Sequence, residues 1–311
     1  MSGADDLATS NASPVLEIPT EPHPVRPEYF ADPFLTRFGG RFFAYGTSDP
    51  RGPITTFEAI WSDDLEHWQS VGQVLDPLDV SFGDAYWAPE VVERDGRFWM
   101  YYSVGHDIAH HHLRAASAET PSGPFVDCAV DLTPEESFAI DAHPFRDDDG
   151  RWYLYFARDV LNDKRPGTHL AVAELLTPTR LDATTHVALA PNADWQIYER
   201  DRSMYGRRFD WHTLEGPTVI HHGDAYVMFF SGGSWEGPGY GVSLATSKHP
   251  FGPWKHSSGT TPAFLSSRST GLVGPGHNSM VRAGDRWVTA FHAWNAERTA
   301  RQMYVAEVRF V

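Results

Sequence analysis

A single cysteine, Cys128, is the whole thiol content of the 311-residue chain. An internal disulfide is excluded, and the fold must hold without covalent staples. Basic residues are scarce: 25 Lys and Arg stand against 41 Asp and Glu, a formal charge of −16. Nucleic acid and anionic membranes want a basic face, so neither is expected as a partner. No stretch approaches the roughly 18 apolar residues of a membrane helix. The opening MSGADDLATS has neither a basic n-region nor an apolar h-region, so no signal peptide is visible and a cytoplasmic location is expected. A G-x-S-x-G elbow is missing, as is a glycine-rich phosphate loop between strand and helix; serine-hydrolase and nucleotide chemistry are disfavoured. Helical periodicity is almost absent.

What is present is aromatic and repetitive. Phe, Trp and Tyr make up 14 % of the residues, with eleven Trp. ADPFLTRFGGRFFAYGTS begins at Ala31, WAPEVVERDGRFWMYYSVG at Trp87 and IDAHPFRDDDGRWYLYFARD at Ile140. LEGPTVIHHGDAYVMFFSGG begins at Leu214 and GPGHNSMVRAGDRWVTAFHAW at Gly274. Each has a small or polar opening with Pro, a short apolar strand, a turn with glycine and an aromatic strand, which is a hairpin pattern. The turn glycines Gly40, Gly96, Gly150, Gly223 and Gly284 lie 56, 54, 73 and 61 residues apart. A β-only repeat of this period predicts an all-β, five-bladed β-propeller over residues 26–311 as a single domain. Residues 1–25 are polar and contain proline, and are expected to be poorly ordered. A long insert over 174–212 accounts for most of the widest spacing.

In a propeller the first strand of each blade lines the central channel. The five openings then converge on one face and bring Asp32, Trp87 with Glu90, Asp141, Glu215 and His277 together. Three carboxylates in a concave site have a specific chemistry open to them. Glycoside hydrolysis needs one acid to protonate the leaving oxygen and one carboxylate to act at the sugar carbon, directly or through water. The first must hold its proton near neutral pH, which burial or a neighbouring negative charge achieves. Singly, each acid is an ordinary turn residue; at equivalent places in a repeat they make a set. Trp87 offers a ring face to the apolar C–H face of a sugar. Phe34 lines the same wall or the core, and Trp235 sits on the rim. His106, His110, His111 and His112 lack a matched Cys or acid for zinc, so the tract reads as a polar, solvated rim loop.

Together, ADP at 31–33, WAPE at 87–90, the region 140–155, EGP at 215–217, GPGHNS at 274–279 and RQM at 301–303 resemble glycoside hydrolase family 43, the five-bladed propeller glycosidases. The resemblance implies an inverting hydrolase with Asp32 as general base, Glu215 as general acid and Asp141 as the acid that tunes Glu215. It implies that Arg301 reaches the substrate near the base, and that His277 faces a hydrated calcium or other cation in the channel. Calcium prefers oxygen, so water would fill most of that shell. No organic cofactor is expected. One departure stands out: the family often has Asp-Pro at the second acid, where this chain has Asp141-Ala-His143-Pro. The implied substrates are α-L-arabinofuranosyl linkages in plant-derived oligosaccharides or polysaccharides, with β-D-xylosides or galactofuranosides as alternatives. No appended β-sandwich follows the last repeat, which tilts the expectation toward arabinofuranosides. A non-catalytic carbohydrate-binding propeller is the alternative of another class. A phosphorylase would need Arg158 and Arg165 to join Arg298 and Arg301.

Overall fold

A computed structural model describes residues 14, 16–18, 21–257 and 259–311. The protein is a propeller-type all-β fold, and its strands follow one another as antiparallel meanders. The first comprises Ala31–Phe38, Arg41–Thr47, Phe57–Ser62 and Gln69–Gln73; the second comprises Ala85–Arg94, Arg97–His106, Ala109–Ala118 and Val126–Asp131. The third is built on Ala139–Arg146, Trp152–Val160 and Gly167–Thr177, the fourth on Arg207–His222, Ala225–Gly232 and Gly241–Ser247. The last is Val273–Ala283, Arg286–Trp294 and Arg301–Phe310. Among the described residues these strands form four hydrogen-bonded sheets, not five. Parallel pairing of Gly167 with His212 and of Thr168 with Thr213 fuses the third and fourth meanders into one sheet of 11 strands.

The aromatic strands are buried on both faces, which is why they read as continuous apolar runs. Phe43 and Tyr45 pack toward Tyr86 and Tyr102 of the second meander, while Phe42 and Ala44, alternating with them, pack toward Val288 and Met303 of the last. The strand at 152–160 does the same: Tyr153 and Tyr155 face the fourth meander, Leu154 and Phe156 the second. Alternate side chains thus enter alternate inter-sheet cores. Each fully buried large side chain contributes about 1.5–3 kcal/mol relative to exposure. First strands touch first strands around a closed ring, from Ala31–Phe38 through each meander to Val273–Ala283 and back.

The segment expected to lack order is ordered in part. Leu16–Glu17 and His23–Pro24 both pair with the final strand. Leu16 and Ile18 also pack against the core between the last two meanders, so apolar burial holds what its polar composition does not predict. Residues 1–13, 15, 19 and 20 lie outside the described residues. The insert over 174–212 is largely strand. It contains a hairpin of Ile197–Met204 with the start of Arg207–His222, closed by left-handed Tyr205 (φ 51°) and Gly206 (φ 68°). Positive φ at both turn residues is the pairing that two-residue hairpins favour.

Candidate active site

Every first strand breaks its register near its start, between Ala31 and Phe34, Trp87 and Glu90, Ile140 and His143, Glu215 and Thr218, and Gly276 and Ser279. One residue in each break is left-handed: Asp32 at φ 50°, Ala88 at 47°, Asp141 at 60°, Gly216 at 54° and His277 at 50°. A bulge adds a residue to one strand and re-aims its side chain. Pro33, Pro89 and Pro217 follow three of these residues, where a bulge tolerates the missing N–H. This corrects the expected equivalences. Asp32, Asp141 and His277 occupy the bulge itself, whereas Ala88 and Gly216 stand where Trp87 with Glu90 and Glu215 were aligned. Strain of this kind concentrates at functional sites.

Asp32 is the most elaborately held of the acids. Its backbone N–H donates to His292 Nδ1 at 3.1 Å, and Arg301 donates to its Oδ1 at 3.2 Å. His277 Nδ1 lies 3.5 Å from the same oxygen. Burial alone would push the Asp32 carboxyl up. The charge of Arg301, then that of His277, outweighs it and holds it well below the usual range. His292 is buried and neutral, its pKa brought down to about 4 by burial. Because Nδ1 accepts the Asp32 N–H, its proton sits on Nε2. Arg301 is fixed in turn: its Nε and one terminal nitrogen donate to Tyr29 Oη at 3.0 and 2.6 Å, and its guanidinium lies 4.5 Å from the Trp235 ring centre.

The other two acids have the opposite character. Burial, then the charge of Asp32, raises Asp141 to about 8. Burial, then the charge of Asp141, raises Glu215 to about 7. Asp141 Oδ2 accepts the Gly216 N–H at 2.8 Å, which ties the two acids together through the backbone. Tyr240 donates its hydroxyl to Glu215 Oε1 at 2.5 Å. That leaves Oε2 as the free seat for a proton. Tyr240 was not anticipated from the sequence. Its ring fills the space beside Gly276, where a Cβ would come within 1.9 Å of it, so the glycine of GPGHNS was the available signal.

Glu215 keeps part of its surface open on a cleft that Trp87 and Trp235 also line. Phe34 does not line that cleft; it packs in the core with Phe43, Tyr45 and Tyr86. In the histidine tract His106 and His110 are exposed as expected, whereas His111 departs from a solvated rim. His111 is fully buried, stacked on Trp87 at 3.7 Å between ring centres, and its Nε2–H donates to Asp107 O at 2.8 Å. It backs the cleft wall because the neighbouring apolar surface of Trp87 and Phe138 claims it. The departure at His143 also has a structural account. Its Nε2 accepts the Val219 N–H at 3.0 Å, so its proton is on Nδ1 and is donated to Glu90 Oε2 at 2.7 Å. A neutral imidazole thus satisfies a buried carboxyl that burial raises above its ordinary value. Arg158 and Arg165 pair with Glu136 and Asp194 instead of joining Arg301.

No group of three or more His, Cys, Asp or Glu side chains among the described residues is placed to hold a metal ion. His277 therefore has no ready-made coordination shell around it. Its nearest acidic partner is Asp32, and a cation at this point would be held by water.

The family model for glycosyl hydrolases family 43 matches residues 22–311. The chain belongs to this family. It is a glycoside hydrolase. The beta-D-galactofuranosidase of Aspergillus niger is 28 % identical over 296 residues, covering 90 % of this chain and 78 % of that protein. The extracellular exo-alpha-(1->5)-L-arabinofuranosidase of Streptomyces avermitilis is 25 % identical, covering 65 % of this chain and 41 % of that one. A crystal structure of a thermostable family-43 glycoside hydrolase superposes with a TM-score of 0.81 at 28 % identity and covers 94 % of each chain. No helix among the described residues is long and apolar enough to cross a membrane.

Proposed function

We propose that the protein hydrolyses α-L-arabinofuranosyl linkages of plant-derived oligosaccharides with inversion. The observation that carries this reading is the split between two carboxyls of one buried cluster. Asp32 is held ionised against its burial by Arg301, which suits the base that activates water. Glu215 is raised into the neutral range with one oxygen free, which suits the acid that protonates the leaving oxygen. Asp141, itself raised to about 8 by burial and then the charge of Asp32, fixes the Gly216 N–H beside Glu215. Trp87 and Trp235 flank the sugar, and Arg301 sets the base. No step is routed through a metal at His277.

The furanoside preference rests on the two named relatives, one a galactofuranosidase and one an arabinofuranosidase. α-L-Arabinofuranosides and β-D-galactofuranosides share ring size and ring stereochemistry and differ in the exocyclic carbon chain. A β-D-galactofuranosidase is therefore the second reading, favoured by the longer match. A β-D-xylosidase stands behind both.

The test is release of p-nitrophenol from the α-L-arabinofuranoside, the β-D-galactofuranoside and the β-D-xylopyranoside. Wild type should turn over the first fastest, and Asp32→Asn should lose about 10²–10⁴-fold. Proton NMR of the first turnovers should show β-arabinofuranose before mutarotation. The α anomer, or full activity in Asp32→Asn, would remove the inverting assignment.

A further inference from the structure

Each first strand lies against the second strand of the meander before it, and the hydrogen bonds across these seams follow one pattern. In every meander one second-strand residue pairs with the residue just before the bulge: Thr47 with Ala31, Ser103 with Trp87, Ala157 with Ile140, Ser231 with Glu215 and His292 with Gly276. These five are therefore equivalent positions of the repeat. Three of them hold the backbone of the following meander. Thr47 Oγ1 accepts the Ala88 N–H at 2.9 Å, Ser231 Oγ accepts the His277 N–H at 2.7 Å, and His292 Nδ1 accepts the Asp32 N–H at 3.1 Å. In each case the donor is the left-handed residue of the bulge.

A bulge takes its extra residue out of the ladder, and a buried N–H must then find an acceptor elsewhere. A polar side chain reaching across the seam supplies one. Ser103 is the fourth polar member of the set, with its hydroxyl turned to Trp87 O, 3.4 Å away in its own meander. The fifth position is Ala157, fully buried in the core between the third and fourth meanders with Leu214 of the next first strand. A methyl group offers no acceptor. The Gly216 N–H across this seam is taken instead by Asp141 Oδ2 at 2.8 Å, from the bulge of the third meander itself. An acid of the catalytic cluster thus performs the task that a hydroxyl or an imidazole performs at three other seams.

Given the roles proposed above for Asp141 and Glu215, on which this rests, we infer that Ala157 is a positioning residue. By offering no acceptor it commits the Asp141 carboxyl to the Gly216 N–H and so holds it beside Glu215. A hydroxyl at 157 would stand where those of Thr47 and Ser231 stand, accept the Gly216 N–H and release Asp141 from it. The acid would lose the bond that orients it, with no catalytic group altered.

Ala157→Ser should therefore lower kcat on α-1,5-arabinobiose about tenfold while KM stays within about twofold, because it misplaces a carboxyl without touching the sugar. Ala157→Cys is the control for bulk. Its sulfur is larger than a hydroxyl oxygen and a weak acceptor, so the loss should stay under about threefold. A loss in the cysteine variant as large as in the serine variant, or no loss in the serine variant, would overturn the inference. A thermal cycle tests it without catalysis. Asp141→Ala leaves the Gly216 N–H buried without its acceptor and should lower Tm, and adding Ala157→Ser should restore part of that loss. A Tm that the second substitution leaves alone or lowers further would overturn it as well. Failure of wild type to cleave any arabinoside would count against the proposed substrate, with the thermal cycle still deciding the role of Ala157.

Discussion

At the scale of single residues, the site works by opposing burial with selected partners. Glu215 and Asp32 are both acids in a low-dielectric cluster, yet Arg301 stands on one and Asp141 beside the other. With Glu215 as the proposed general acid, acting protonated, kcat/KM should fall as pH rises through about 7, where burial above all has placed it. The groups facing it are Asp141, Asp32, His277 and Tyr240. Tyr240 donates to a carboxylate oxygen, which favours the ionised form. Tyr240→Phe removes that donor, so the Glu215 pKa should rise and the basic limb of the profile should move to higher pH. A limb that stays in place or moves down would show that Tyr240 does not hold the acid. Asp32, held low, should contribute no acidic limb near neutrality.

At the scale of the strand, the repeated bulge does the positioning. It places an αL residue at the start of each first strand, and the side chains that follow are aimed by the same backbone break. Gly276 is part of this device through space and not through conformation. A methyl there would meet the Tyr240 ring at 1.9 Å and push its hydroxyl from Glu215. Gly276→Ala should therefore cut turnover of arabinobiose far more than that of the p-nitrophenyl glycoside, because only the poorer leaving group needs the acid. Gly284→Ala is the control. It sits at φ 68° in a turn with nothing within 4 Å, so a Cβ costs about 1 kcal/mol of strain and leaves the site alone. Kinetics on both substrates, with the melting temperature of each variant, check the contrast; matching activity losses in both would make the Gly276 effect a stability effect.

At the scale of the molecule, ring closure and catalysis share a seam. The final strand carries Arg301, and the N-terminal segment runs beside it. The Phe30 N–H donates to Arg301 O and the Val25 N–H to Met303 O, each at 2.8 Å. Farther out, Leu16 and Ile18 cover the core between the last two meanders. Deleting residues 1–18 should cost about 1–3 kcal/mol and lower Tm by roughly 2–4 °C per kcal/mol. It should leave kcat on the aryl glycoside nearly unchanged, since Tyr29, which holds Arg301, remains. An unaltered Tm would mean that this segment does not close the ring energetically.

Much of this was legible in the chain itself. Alternation, turn glycines and aromatic strands are local signals, and they determined an all-β fold, its hairpins and the openings that carry Asp32, Asp141 and Glu215. Two-sided burial left its mark as continuous apolar strands such as RWYLYFA. Partnerships across the ring were not legible, because nothing local links Arg301 to Asp32 over 269 positions, or His143 to Glu90 over 53. The number of hydrogen-bonded sheets was decided by two parallel pairs between Gly167–Thr177 and Arg207–His222, a contact no periodicity announces. The same holds for His111 behind Trp87, for Tyr240 on Glu215 and for Phe34 in the core. A side chain's residue type limits what it can do; which neighbour reaches it depends on how the meanders close into a ring.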